Sequence, residues 1–479
     1  MPPGSRNEKV STQSGRDRIS ALADEAIHQV LGFLPAEEAV RTSVLARGWR
    51  HHWKSMHSLH ITGNLGSRLS SLNRLVDRVL LNRNTPLEEC HVSLKGLFDK
   101  VEDVDVDRWI QHSVSNCHVR VLLVDMEIGP KIDLSGKPMV SGYLKRLELH
   151  SLRAEDEVLD LSCCGVLEDL RLSSCDIVAS KISSRSAKRV MISRCTFVRS
   201  GRRTCISAPN TISLKLDNNH HTTPLLECMP LLQNAFVRLF YFYGFFCRKS
   251  DDNFFNCGRC EDCSASEDHN DGYMLLGGLS SATHLELIAP IAKFTDWKCP
   301  TFDKLKILLL NEWCVTIDLG ALLTILQHSP FLEKLTLQLN EGPKQTTLKE
   351  ETYHTEKSSA ISKFLNVVEI KCTKVNERVY KIIKMLSTFD LQINIMRTSR
   401  SSDSKLYFSP PWRSLSGAFT SGLLQKAEVI TRSYTTTPYL SHTHTIIPQT
   451  HWSSAGYLYP PGYATINQLV QVFDLGYIL

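Results

Sequence analysis

Four cysteines have the clearest capacity for chemistry in this chain. In CRKSDDNFFNCGRCEDC, Cys247, Cys257, Cys260 and Cys263 fall in one polar stretch behind the aromatic run from Phe240 to Phe246. Four thiolates can hold zinc tetrahedrally. Structural zinc sites usually separate two Cys-x2-Cys pairs by a loop, whereas here the two pairs share Cys260. The other reading is a reduced, solvated loop in which the thiols and Asp251, Asp252, Glu261 and Asp262 meet water. No metal is assigned, and these four remain the candidates. His442, His444 and His451 lie in a stretch rich in Thr, Ser and Pro and read as part of a solvated tail. A catalytic site needs a constellation. The chain shows no P-loop, no Gly-x-Ser-x-Gly elbow, no His-Glu-x-x-His and no Rossmann glycine pattern. Neither catalytic residues nor cofactors are expected.

The elements around these residues must therefore explain the chain. Its 479 residues, 42% of them apolar, exceed what one core serves and point to two or three folded units. With 55 basic and 50 acidic residues, the net charge of +5 is spread thinly, without the basic stripe of a nucleic-acid binder. No window approaches the roughly 18 apolar residues of a membrane span, and Met1 to Arg16 lacks an apolar signal core. A place in the cytosol or nucleus is expected, with no nucleic acid or membrane as partner. There the 15 cysteines read as small buried hydrophobes rather than a disulfide framework.

Three short helical patterns follow one another from Asp17 to Lys54. Asp24 reads as an N-cap, and Ile27, Val30, Leu31 and Leu34 recur at helical spacing. Gly32 weakens this helix and Pro35 ends it. A second helix starts near Ala36, with Glu37 and Glu38 complementing its dipole, and presents Ala39, Val40, Val44 and Leu45. The third carries Trp49 and Trp53 on one face among Arg47, Arg50, His51, His52 and Lys54, a combination that commonly anchors an interface.

The segment DRISALADEAIHQVLGFLPAEEAVRTSVLARGWRHHWKS resembles the F-box of plant F-box proteins. The resemblance implies docking onto the Skp-type adaptor, and through it the cullin, of a ubiquitin ligase. The matching contact set is Leu22, Ile27, Val30, Leu31, Leu34, Pro35, Val40, Val44, Leu45 and Trp49. Three positions depart from the pattern. Leu22-Ala23 stands for Leu-Pro, Ala26 for a larger aliphatic, and Gly48 for a basic residue. Losing one leucine-sized buried contact costs about 2 kcal/mol, enough to lower adaptor affinity.

Beyond a polar connector, 55–86, leucines recur as L-x-x-L-x-L. Leu144, Leu147 and Leu149 are followed by Leu167, Leu170 and Leu172. Strand positions then fall at Val190 and Ile192, Leu214 and Leu216, Leu285 and Leu287, Leu308 and Leu310, and Leu335 and Leu337. The alternation buries one strand face and turns Glu148, Arg171, Lys215, Glu286 and Thr336 outward. No repeat can bury its leucines alone, so stacking is required, giving a curved parallel solenoid with an extended protein-binding face. FLNVVEIKCTKVNERVYKIIKML, from Phe364 to Leu386, resembles the FBD segment of plant F-box proteins and reads as strand, turn and helix. Val379, Ile382, Ile383 and Leu386 form a stripe suited to closing the stack.

The expected fold class is α/β, a small three-helix F-box domain followed by an irregular leucine-rich repeat solenoid of horseshoe, RNI-like form. The expected divisions are a disordered start (1–16), the F-box (17–55), the repeats (56–363, with a cysteine-containing insertion at about 245–270), an FBD-like cap (364–396) and a low-complexity tail (397–479). The resemblance implies a non-catalytic, substrate-recognising ligase subunit. The alternative is a leucine-rich interaction scaffold that joins no ligase.

Overall fold

Strict leucine alternation builds one parallel ladder in the computed structural model. It describes residues 22–45, 47–64, 69–83, 85–95, 106–126, 131–132, 139–154, 158–197, 203–221, 223–239, 275–289, 299–315, 319–339, 361–389 and 391–397. The four candidate cysteines, the three tail histidines, the start (1–16) and the tail beyond 397 lie outside the described residues.

The ladder strands are β1 (Ser58–Asn64), β2 (Glu89–Lys95), β3 (Val121–Met126), β4 (Arg146–His150), β5 (Asp169–Ser173), β6 (Arg189–Ser193) and β7 (Ser213–His221). They continue as β8 (Asn234–Leu239), β9 (His284–Ile288), β10 (Ile307–Asn311), β11 (Lys334–Leu339), β12 (Val367–Cys372) and β13 (Gln392–Arg397). Each pairs in parallel with the next in chain order. The register aligns Leu147, Leu170, Val190, Leu214, Ala235, Leu285, Leu308, Leu335 and Val368 across the strands. All are buried, so one slip of register would expel the whole row.

Parallel neighbours need a crossover that leaves one strand's end and returns to the next strand's start. Two kinds are used. Between β4 and β8 the return runs through short strands, Val158–Asp160, Lys181–Ser183, Cys205–Ser207 and Leu225–Leu226, which form their own 4-stranded parallel sheet. Leu159, Ile182, Ile206 and Leu226 of that sheet are buried in the same core as the ladder leucines. Helices serve other crossovers: α3 (Leu69–Leu81) and α4 (Val106–Ser115) before β2 and β3, and α6 (Gly320–Gln327) and α7 (Glu377–Leu386) before β11 and β13. A single turn, α5 (Leu276–Leu279), precedes β9. Its Gly278 touches the return sheet so closely that a Cβ there would stand 2.3 Å from Leu226 Cβ.

The turn after each of β4, β5 and β6 repeats one backbone device. Ser151, Ser174 and Arg194 sit in the left-handed region, and so does Asn218 within β7, at φ of 52 to 55°. This region costs a non-glycine residue energy, and only asparagine among these four is enriched there. The residue that follows turns inward. Cys175 N–H donates to Cys195 Sγ (3.4 Å), Cys195 N–H donates to Asn219 Oδ1 (2.9 Å), and Asn219 Nδ2 donates to the Ile192 carbonyl (3.1 Å). These cysteines are thus spent on closing turns, in line with the reading of cysteine as a small buried residue.

Two expectations need correction. The stretch 55–86 is no mere connector: it supplies β1 and α3, with Leu59, Ile61, Val76, Val79 and Leu80 buried. The third helical pattern near Trp49 does not form an α-helix. The chain takes 3₁₀ segments at Thr42–Val44, Arg47–Arg50 and His52–Lys54, whose tighter turn tucks both indoles inward. At the other end, α7 follows β12 as strand, turn and helix, and Asn376 caps it by accepting from Val379 N–H (2.9 Å). Val379, Ile382 and Leu386 are buried, and β13 comes after them as the last rung among the described residues.

Candidate functional site

The segment from Leu22 to Lys54 is organised by what it buries. α1 (Asp24–Gly32) has Ala23 at its N-cap, with no side-chain cap bond, so the expected cap Asp24 is instead the first helical residue. There Asp24 and Glu25 complement the helix dipole. Ile27 and Leu31 face the core at 3% and 0% exposure, and Gly32 lets the helix end approach Ser58 of β1, whose Cβ would lie 3.4 Å from an added Cβ. α2 (Ala36–Arg41) buries Ala36 and Ala39, and Pro35 bridges to His60. The helices therefore share a core with the first rungs of the ladder.

The implied docking residues divide into two groups. Ile27, Leu31 and Trp49 are buried, and Leu34, Pro35 and Val40 are partly buried. Leu22, Val30, Val44 and Leu45 are exposed at 45%, 51%, 84% and 73%. Phe33, not in the implied set, is exposed at 78%. Solvating this much aliphatic and aromatic surface in a 24-residue stretch is unfavourable unless a partner covers it. The tryptophans do the opposite of what their basic setting suggests. Trp53 Nε1 donates to the Arg50 carbonyl (3.1 Å), Trp49 packs at 6.3 Å from the His52 ring, and both indoles lie inside. Of the departures from the F-box pattern, Ala23 and Gly48 are exposed and Ala26 is partly so; nothing lies within 4 Å of a Cβ added to Gly48. They thin the surface and leave the core intact.

The second candidate surface is the outward row between the buried leucines. Cross-strand register aligns His60, His91, Leu123, Glu148, Arg171, Met191, Lys215, Phe236, Glu286, Leu309, Thr336 and Glu369. Charges on this row are paired rather than simply solvated. Glu148 and Thr336, expected to face out, are only 8% and 4% exposed because neighbouring side chains cover them. Arg171 meets Glu148 at 2.9 Å, and Lys334 reaches Glu369 at 2.5 Å over Thr336, whose hydroxyl donates to the same carboxylate (3.4 Å). Burial works against the ionised form of Glu148, yet His150, Arg171 and Arg146 outweigh it and hold its pKa below the ordinary value. His150, paired with Glu148 at 3.8 Å, is pushed up for the reciprocal reason. Lys215 and Arg238 flank the Phe236 ring at 5.2 Å each, a cation–π arrangement.

Four of the described thiols are held in their protonated form. Burial pushes the thiols of Cys90 and Cys299 up to about 12 and, foremost among the causes, those of Cys164 and Cys205 up to about 11. Thiols so raised stay protonated and inert near neutrality. Among the described residues, no three of His, Cys, Asp and Glu are placed to hold a metal ion, and no helix is long and apolar enough to cross a membrane.

Comparison with known proteins fits this geometry. The F-box domain family matches residues 19–61, which spans the exposed apolar group and its buried support. An F-box/LRR-repeat protein of Arabidopsis thaliana is 26% identical over 357 residues, covering 67% of this chain and 70% of the relative. A MEIOTIC F-BOX protein of Oryza sativa subsp. japonica is 28% identical over 354 residues, with 67% and 71% covered. An FBD-associated F-box protein of Arabidopsis thaliana is 30% identical over 262 residues, covering 47% of this chain and 61% of the relative.

Proposed function

We propose that the chain, which carries an F-box and is similar to plant F-box proteins with leucine-rich repeats and an FBD segment, is the substrate-recognising subunit of a Skp–cullin–F-box ubiquitin ligase. The observation that carries the reading is the exposed apolar group on the F-box, Leu22, Val30, Phe33, Val44 and Leu45. A Skp-type adaptor covers these residues, while Ile27, Leu31 and Trp49 shape the surface from beneath. The parallel ladder is read as the inner sheet of an irregular leucine-rich solenoid bent into a horseshoe, and its outward row receives the substrate. The chemistry belongs to other subunits. This chain contributes proximity, raising the effective concentration of substrate lysines near the charged conjugating enzyme. Its place of action is the cytosol or nucleus.

Co-purification tests the reading. The intact chain recovers adaptor and cullin, and Leu45→Asp, which changes an exposed residue, loses both while the chain stays folded. Recovery of neither by the intact chain favours the scaffold reading, to which the trimmed positions Ala23, Ala26 and Gly48 lend support.

A further inference from the structure

We propose that the outward face of β4 to β6 binds a carboxylate side chain, Asp or Glu, presented by an extended acidic segment of the substrate protein. The inference rests on the reading that the outward row receives a substrate. It comes from the way Arg146, Arg171 and Arg189 converge on one buried carboxylate. In the ladder register Arg146, Asp169 and Arg189 are cross-strand partners, so Asp169 lies between two arginines on its own row. Asp169 is 3% exposed. Its Oδ2 meets Arg146 Nε at 3.3 Å, Arg189 Nε at 3.4 Å and Arg171 Nη2 at 3.1 Å.

The three guanidiniums are not equally committed. Arg171 gives Nε and Nη2 to Asp169 and Nη1 to Glu148. Arg146 and Arg189 engage Asp169 through Nε, the inner edge of the fork. Among the described residues their terminal nitrogens have no ion-pair partner apart from a loose 3.9 Å approach of Arg189 Nη2 to Glu168, while Arg146 Nε also comes within 3.9 Å of Glu148. Glu168 is already held by Lys188 at 3.0 Å. The Arg146 and Arg189 side chains are 32% and 40% exposed.

Charge identifies the ligand. With Glu168 offset by Lys188 and with His150 neutral, the three guanidiniums, which do not deprotonate, face two buried carboxylates, Glu148 and Asp169, and one positive charge is left over. One carboxylate balances that excess, whereas a phosphate dianion overshoots it. Asp169 also fixes both forks before the ligand arrives, so little side-chain freedom remains to be lost on binding. Met191, half-buried and in register with Arg171, offers an apolar contact to the residue beside the acid. Carboxylate recognition by paired arginine forks is charge-assisted and geometrically selective.

Fluorescence anisotropy on the full chain tests this with labelled peptides alternating Gly with Glu, with Gln, or with phosphoserine. The Glu peptide is expected to bind, more weakly as salt rises, and the Gln peptide not to bind. R146Q/R189Q should weaken the Glu peptide about tenfold or more, and R146K/R189K, which keeps charge without the fork, by an intermediate factor. R189Q alone, at the more exposed position, guards against misfolding of the double variant and should show part of the loss with an unchanged thermal midpoint. Equal binding of Glu and Gln peptides, no binding of the Glu peptide, or unchanged binding by R146Q/R189Q overturns the proposal. Tighter binding of the phosphoserine peptide overturns the carboxylate assignment. Adaptor binding measured on the same samples separates the two readings: its absence in the intact chain counts against the ligase role alone.

Discussion

Leu31 and Leu45 both belong to the implied docking set, yet truncating them should fail in opposite ways. Leu31 is 0% exposed and packed in the core shared with β1. Leu31→Ala removes buried methyl groups and leaves a cavity, which costs about 2–5 kcal/mol of stability. Leu45 is 73% exposed, so Leu45→Ala should change stability by no more than about 0.5 kcal/mol. Its cost appears when the adaptor covers it. Burying a leucine fully contributes about 1.5–3 kcal/mol, and roughly three quarters of that is still available in the free chain, giving about 1–2 kcal/mol. That is a loss of about five- to thirtyfold in affinity. Phe33→Ala, at 78% exposure, should lose at least as much. Calorimetric titration with a recombinant Skp-type adaptor gives the affinities, and thermal unfolding of the same samples gives the stabilities. The reasoning is refuted if Leu45→Ala and Phe33→Ala bind as tightly as the parent chain, or if Leu31→Ala unfolds at the parent's midpoint.

Other outcomes follow from the ladder. Asp169→Asn removes the buried charge that three partly exposed arginines share and should lower stability by about 1–3 kcal/mol, measured as a shift in denaturant midpoint; a shift under about 0.5 kcal/mol means the network holds little together. Because the folded pKa of His150 is raised, its contribution to stability is complete below the unfolded value of 6.5 and is lost as pH rises through the folded value. Thermal midpoints should therefore fall as pH rises above about 6.5, and His150→Gln should flatten that part of the profile. Gly278→Ala puts a methyl group against Leu226 and should cost about 1–3 kcal/mol, read from the unfolding midpoint; an unchanged midpoint would show that α5 moves aside freely.

Leucine periodicity carried the ladder well because burial on one strand face leaves a period of two that few other structures produce. Val190 and Ile192, Leu214 and Leu216, and Leu335 and Leu337 are all essentially inaccessible, as their alternation implies. Glu148 and Thr336 obey the same alternation yet are covered, because accessibility on the outward row depends on neighbours some twenty or more residues away. Local spacing does not report those neighbours. The convergence on Asp169 was hidden for the same reason: Arg146, Asp169 and Arg189 become neighbours only through register. β1 was missed since Leu59 and Ile61 offer only two alternating positions among polar residues. Between Leu22 and Lys54, apolar spacing marks the helical stripes without saying which side each residue takes. Trp49 and Trp53 turn inward once the backbone tightens to 3₁₀, and Phe33, beyond the end of α1, is left outside.

Titrating the intact chain with a purified Skp-type adaptor tests the central claim most directly. A saturable complex of one adaptor per chain is the expected result, and the Leu22, Val30, Phe33, Val44 and Leu45 surface should lose its exposure in it. Absence of any complex, from a chain whose thermal unfolding shows it to be folded, contradicts the account and leaves a leucine-rich scaffold that joins no ligase.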